Sequence, residues 1–223
     1  TENGSIGQYG SAYIDWVIII FMFLAGMNFA LHFRLLQGKT VRVIEDTEFR
    51  VYAGVVLTAI VLVTLALYEP VAALLPVDSA ADSPDMITYS GILETVRYAA
   101  FQVVAIVTTT GFGTADYELW TPLAMAVIFL LFFCGGMGGS TGGGIKIIRH
   151  VLMAKNSFRE MKQLLHPSAL LPIRLNDYVV SDDIIRNILS FFVLYLGTLA
   201  LGTLVMAGLG LDLLSAFGAA LSC

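Results

Sequence analysis

The sequence predicts an all-α integral membrane protein made of repeated membrane–pore–membrane units with re-entrant pore loops. Three observations carry this. Of 223 residues, 57% are hydrophobic and 13% charged, against about 45–50% and about 25% in an average soluble domain. The apolar residues fall in long uninterrupted runs, with the charges segregated between them. Short segments of the chain also recur in the same order further along it.

A helix that crosses the hydrocarbon core needs roughly 20 apolar residues. Tyr13–Phe33 supplies one, with Asp15 its only acidic residue, and Val51–Tyr68 supplies a second that is expected to end at Glu69-Pro70. Asn187–Leu209 supplies another. Trp120–Cys134 is apolar but short, reaching roughly 22 Å at about 1.5 Å per residue. It runs into Gly135-Gly136-Met137-Gly138-Gly139-Ser140-Thr141-Gly142-Gly143-Gly144, so a glycine loop and then a new helix from Ile145 are expected.

Charge sets the orientation. Of the 12 Lys and Arg residues, all but Arg97 lie in two connections: Arg34, Lys39, Arg42 and Arg50, then Lys146 to Arg186. The positive-inside tendency makes both cytoplasmic. The stretch between Glu69 and Glu118 is then outer, and it carries Glu69, Asp78, Asp82, Asp85, Glu94, Asp116 and Glu118. An acidic outer mouth would concentrate cations; an ordinary solvated loop has the same composition. Ile145–His166 is basic and amphipathic, which suits a cytoplasmic membrane surface or a cytoplasmic partner. Cys134 and Cys223 have no metal-type or disulfide spacing. The polar start Thr1-Glu2-Asn3-Gly4 has no basic signal-peptide region.

The repeat has two parts. Phe21–Asn28 resembles Phe132–Gly138, with Gly26-Met27 opposite Gly136-Met137. Phe101–Ala105 resembles Phe217–Leu221, each after a span and an outer loop. Together they define a unit of span, outer loop, short apolar helix, polar loop and span. Residues 40–150 then form one complete unit. Residues 1–39 are the second half of a preceding one, 151–185 a cytoplasmic connection, and 186–223 the first helix and pore helix of a following one. A longer chain is expected on this register.

Leu93–Val107 is too short to cross and leads into Thr108-Thr109-Thr110-Gly111-Phe112-Gly113. Irregular backbone at membrane depth is tolerated only where protein or a water-filled path satisfies it. Carbonyls aimed at a dehydrated cation meet that condition, and the C-terminal dipole of the preceding helix favours a cation. Gly111 and Gly113 permit the backbone angles that turn carbonyls to one side. Thr109 to Gly113 also resembles the Thr-Val-Gly-Tyr-Gly filter of K⁺ channels. The competing reading is an outer loop with a threonine-rich cap.

The glycine run admits several readings. Gly138-Gly139-Ser140-Thr141-Gly142 fits the G-x-S-x-G nucleophile pattern, which needs a preceding strand and His and acid partners. A phosphate loop would need Gly-Lys-Ser/Thr, whereas Lys146 sits between Ile145 and Ile147. A deliberate break in a membrane helix needs only the glycines, each costing about 1 kcal/mol relative to alanine. Such a break directly follows the pore-loop unit, so it is expected below that loop, as a gate or as a plain hinge.

Thr108-Thr109-Thr110-Gly111-Phe112-Gly113-Thr114-Ala115-Asp116-Tyr117, followed by Gly138-Gly139-Ser140-Thr141-Gly142-Gly143-Gly144-Ile145-Lys146, closely resembles the Trk/Ktr/HKT superfamily of K⁺ transporters, most nearly its bacterial TrkH type. The resemblance covers essentially the whole chain. It implies four units around a pseudo-fourfold pore, with Thr109, Thr110, Gly111 and Phe112 as K⁺-binding filter positions of the third. It implies Gly138, Gly139, Ser140, Thr141, Gly142, Gly143 and Gly144 as an intramembrane gating loop. It further implies a homodimer in the bacterial inner membrane, controlled by a cytoplasmic nucleotide-binding ring subunit. No catalytic chemistry, bound cofactor or nucleic-acid partner is expected. The other three filters are not in this sequence. A secondary cation transporter and an intramembrane serine hydrolase remain as alternatives.

Overall fold

The computed structural model describes residues 5–72, 86–166, 171–176 and 178–222. Thr1-Glu2-Asn3-Gly4, Asp78, Asp82, Asp85 and Cys223 lie outside the described residues. The chain divides into two compact units, Thr1–Ile147 and Ile148–Cys223.

The first unit opens with a 3₁₀ turn, Ile6–Tyr9, and α1, Ala12–Ala25. The single span expected over Tyr13–Phe33 is not continuous: α1 stops at Ala25 and α2, Phe29–Leu36, leaves at 107°. Asn28 causes the break, because its backbone is extended and its Oδ1 accepts from the Ala30 amide at 2.8 Å. An N-cap of this kind starts a helix afresh. A hydropathy run hides it, since Gly26-Met27-Asn28 hardly lowers the apolar count.

A short α3, Thr40–Ile44, leads to α4, Thr47–Leu67. Asp46 caps α4 by accepting from the Phe49 amide at 3.1 Å. Its 21 residues span roughly 31 Å, enough for a hydrocarbon core of about 30 Å. The helix ends one residue before the expected stop, at an extended Tyr68, and Pro70 lies in a single turn, α5, Glu69–Ala72. Proline is harmless there because the first-turn amides have no helical partner.

The chain returns along α4. Tyr89 donates its amide to Leu67 at 3.0 Å and accepts from Glu69 at 3.1 Å, and Ile87 donates to Leu119 at 2.8 Å. These bonds gather the exposed Glu69 and Glu118 at one end of the unit. Next comes α6, Ile92–Val107, one residue longer at its start than the Leu93–Val107 segment read from the sequence. It packs against α1, α4 and a later helix, α7, Pro122–Leu131. Seven consecutive residues, Ala99 to Ala105, are buried, all apolar but Gln102, because protein surrounds this part of α6 on every side. Thr121 caps α7, with Pro122 in its first turn, and the Thr121 hydroxyl also donates to the Ala66 carbonyl at 3.1 Å. The 10 residues of α7 reach only about 15 Å, and the glycine run follows.

The second unit contains α8, Ile147–Leu165, from its second residue on, a hairpin of β1, Arg174–Leu175, and β2, Tyr178–Val179, then α9, Asp182–Gly208, and α10, Leu213–Ser222. The strands pair antiparallel, Arg174 opposite Val179 and Leu175 opposite Tyr178. Strands this short have no alternation to read, and the hairpin was not expected. Leu152 of α8 clusters with Ile173, Ile185 and Ile188. Arg159 bonds Asp182 at 2.6 Å, and Lys155 donates to the Arg174 carbonyl at 2.6 Å. The 27 residues of α9 reach roughly 40 Å, starting earlier than Asn187 because Ser181 and Asp182 already begin the helix. α10 folds back along α9, where a side chain on Gly202 would meet Ala220 Cβ at 3.3 Å. A span followed by a short helix packed along it is also the order of α4 and α6.

Candidate functional site at the end of the short buried helix

The polar loop starts where α6 closes. The Thr110 amide donates to Ala105 and the Thr109 amide to Ile106, both at 2.9 Å. That pair of bonds is a Schellman ending, in which the residue after the cap takes the left-handed conformation and is usually glycine. Here it is Thr109, with φ of 54°. A left-handed L-residue costs roughly 1–2 kcal/mol, and β-branched residues are rare there. Thr108 packs inward, donating its hydroxyl to Val104 at 2.7 Å, with its Oγ1 2.8 Å from that of Thr110.

Beyond the cap the loop turns outward. Gly111 has φ of 75° and open space where a side chain would be. Phe112 is exposed. The far end is braced: the Gly113 amide donates to Ser5 Oγ at 2.9 Å, and its carbonyl accepts from Gly7 at 3.2 Å.

The glycine run lies directly against the inner end of this loop. Gly143 donates its amide to Thr109 Oγ1 at 2.6 Å. A side chain on Gly142 would meet the Thr108 carbonyl oxygen at 3.0 Å. The base of the run is closed by Gly135 donating to Ile145 at 2.8 Å and Ile147 to Gly136 at 3.1 Å. Its interior is held by Lys146, whose ammonium donates to the carbonyls of Ser140 and Gly142 and to Ser140 Oγ. Glu48, buried at the start of α4, accepts the Gly138 amide at 2.6 Å. The fastenings that hold this run thus use a carboxylate, an ammonium and a hydroxyl from outside it.

The run also touches the break between α1 and α2. Met137 donates to the Gly26 carbonyl at 2.9 Å, Thr141 Oγ1 to Ala25 at 3.1 Å, and the Phe29 amide to Gly139 at 3.3 Å. A Cβ on Gly136 would lie 2.9 Å from the Gly26 oxygen and 3.2 Å from its Cα. A Cβ on Gly26 would collide with the Tyr52 hydroxyl and with Thr108 Cγ2. Tyr52 is fully buried and donates to Phe23 at 3.0 Å. The two glycines matched in the repeat therefore meet each other, and Gly26 also meets Thr108.

Every site residue expected from the sequence falls in this one region: Thr109, Thr110, Gly111 and Phe112 in the loop, and Gly138 to Gly144 in the run. Sequence reasoning missed Gly26, Asn28, Glu48 and Tyr52 as their supports. It also left Asp15 and Arg97 unexplained. The two form an ion pair at 2.6 Å, with side chains 6% and 15% exposed, joining α1 to α6. The lone acid in the first span and the lone base outside the basic connections were a signal that they pair. A nucleophile elbow is not formed at Ser140: α7 and a turn precede it, not a strand, and its neighbour Lys146 is engaged by carbonyls. Among the described residues no group of three or more His, Cys, Asp or Glu is placed to hold a metal ion.

A spanning helix, a short buried helix that ends in a polar loop, and a second helix broken by glycines define the class: a multi-pass α-helical membrane protein with re-entrant pore segments. Residues 1–223 match the family described as TrkH, cation transport protein, and the chain belongs to it. It is 37% identical over 219 residues to the Trk system potassium uptake protein TrkH of Escherichia coli K12, covering 97% of this chain and 42% of that protein. It is 29% identical over 224 residues to TrkG of the same strain, covering 100% of this chain and 43% of that one. The crystal structure of the potassium transporter TrkH from Vibrio parahaemolyticus superposes with a TM-score of 0.84 at 27% identity, over 99% of this chain and 44% of that chain. The chain thus spans about two fifths of the length of these relatives and is a multi-pass protein of the inner membrane.

Proposed function

We propose that this chain supplies one filter segment and one gate of a channel-like K⁺ uptake pore. The observation that carries this is the contact between the two motifs. The non-helical loop at the C-terminus of α6 rests on the glycine run, through Thr109 Oγ1 and the Thr108 carbonyl. The dipole of α6, about half an electron at its end, favours a cation at that point. A K⁺ ion sheds water against backbone carbonyls of Thr109, Thr110, Gly111 and Phe112, then meets the run Gly138–Gly144, which must shift to let it pass. The potassium-uptake relatives support K⁺ as the ion. The pore is completed by three further filter segments; the protein acts as a homodimer, and a cytoplasmic nucleotide-binding ring subunit regulates it.

The test is Gly111→Ala in the full-length protein, reconstituted in proteoliposomes. The left-handed φ at this position disfavours any side chain, so the Rb⁺-to-Na⁺ permeability ratio falls. An unchanged ratio overturns the filter assignment. Steady flux above carrier rates with no coupled ion is expected; tight coupling to a second ion would replace the channel by a secondary transporter.

A further inference from the structure

We propose that the oxygens holding the Lys146 ammonium form a K⁺ site within the glycine run, which the ammonium fills while the run is closed, so that K⁺ competes with Lys146 for the gate. The inference rests on the filter-and-gate reading above and deepens it, by giving the gate a binding site for the ion it controls.

Three oxygens of two residues build the site. The Lys146 ammonium donates to the Ser140 carbonyl at 3.5 Å, to Ser140 Oγ at 3.2 Å and to the Gly142 carbonyl. Among the described residues no backbone amide donates to either carbonyl, so both are turned to a cation. An ammonium is a compact point charge with donors and no acceptor. It is close to K⁺ in size and larger than Na⁺. Oxygens that converge on it therefore suit a dehydrated K⁺, whose hydration shell carbonyls can replace. The site also adjoins the path. A side chain on Gly142 would meet the Thr108 oxygen at 3.0 Å, and the Gly143 amide donates to Thr109 Oγ1 at 2.6 Å. Thr141, Gly143 and Gly144 are exposed beside it. Lys146 itself belongs to the base of the run, between Ile145, which accepts from Gly135, and Ile147, which donates to Gly136. Its side chain thus ties the Ser140–Gly142 turn to that base. A K⁺ ion on the same oxygens preserves the turn but has no tether, so the run is released to shift.

The experiment follows amide exchange across residues 137–144 of the full-length protein in media of choline, Na⁺ or K⁺ at equal ionic strength. In Lys146→Met the oxygens lose the ammonium, and exchange is fast in choline. K⁺ slows it as a single site does, in proportion to 1 + [K⁺]/Kd, or about tenfold at ten times Kd. Na⁺ slows it less. The loss of protection in this variant is thus a loss in the absence of K⁺. In the unsubstituted protein the same exchange does not slow with K⁺, because the ammonium already fills the site. Lys146→Cys in a cysteine-free background asks the question with a smaller side chain. It responds to K⁺ before aminoethylation and not after, since the reagent restores a tethered ammonium. Open probability in planar bilayers rises with K⁺ in the unsubstituted protein and loses that dependence in Lys146→Met. The proposal is overturned if K⁺ leaves exchange in Lys146→Met as fast as choline does, if Na⁺ and K⁺ slow it equally, or if aminoethylated Lys146→Cys still responds to K⁺. Gly111→Ala separates the two levels. An unchanged permeability ratio there fails the filter reading, whereas K⁺-independent exchange in Lys146→Met fails only the site in the run.

Discussion

Gly26 sits where the Tyr52 hydroxyl, Thr108 Cγ2 and Gly136 converge, so its missing side chain is a packing requirement. Gly26→Ala overfills this point, and overpacking of this kind costs about 1–3 kcal/mol. The expected outcome is a lower melting temperature in detergent, partly recovered in Gly26→Ala/Tyr52→Phe, since only one of the two collisions is relieved. A full recovery would show that Thr108 yields freely. The Asp15–Arg97 pair is the other residue-level dependence. Arg97→Ala leaves a carboxylate that is 6% exposed without its partner, and breaking a buried pair costs about 3–5 kcal/mol. The low end applies, because the arginine retains some exposure. Asp15→Leu/Arg97→Met removes both charges and is expected to restore most of the loss, measured by thermal unfolding of the purified protein. An equal loss in the single and double variants would assign the role to packing alone.

At the scale of elements, the glycine run keeps one shape although glycine favours none. Its order comes from Glu48 on the Gly138 amide, Lys146 on the Ser140 and Gly142 carbonyls, and Thr109 on the Gly143 amide. Hydrogen bonds to charged groups contribute about 1.5–3 kcal/mol. Glu48→Ala and Lys146→Met are therefore each expected to speed amide exchange across residues 137–144 by a factor of about 10 or more. Glu48→Gln, which keeps an acceptor, has a smaller effect. Exchange unchanged in both variants would mean that the run is held by its own turns. Both variants should also raise open probability, since a loosened run moves more readily. The break between α1 and α2 belongs to the same construction, because its Gly26 carbonyl accepts from Met137. The similarity between Phe21–Asn28 and Phe132–Gly138 was legible in the sequence, but that Gly26-Met27-Asn28 is itself a break was not. A hydropathy run counts apolar residues, and one Asn cap does not interrupt the count.

At the scale of the whole molecule, charge placement predicts orientation. Lys39 and Lys162 are exposed in the basic connections, and Glu118 is exposed at the acidic end of the first unit. In a background without Cys134 and Cys223, Lys39→Cys and Lys162→Cys are expected to react with an impermeant maleimide only from the cytoplasmic side. Glu118→Cys should react only from the outer side. Labelling of Lys162→Cys from outside would reverse the assignment for that connection. The acidic end that the charges suggest is visible in Glu69 and Glu118, which the bonds among Leu67, Tyr89, Ile87 and Leu119 bring together.

By itself the sequence determined the membrane class, the short apolar helix over Leu93–Val107 and the break at the glycine run. It also placed the Thr108–Gly113 loop next to that run. These are local matters of hydropathy, length and glycine content, read within windows of a few turns. Only the tertiary structure decided which residues hold the site. Glu48 and Gly138 are 90 positions apart, Asp15 and Arg97 82, and Thr109 and Gly143 34. Partners so distant leave no periodicity to read. The conformation of Thr109 belongs to the same group: residue type argues against its φ of 54°, and its Oγ1 accepts the Gly143 amide of the folded glycine run.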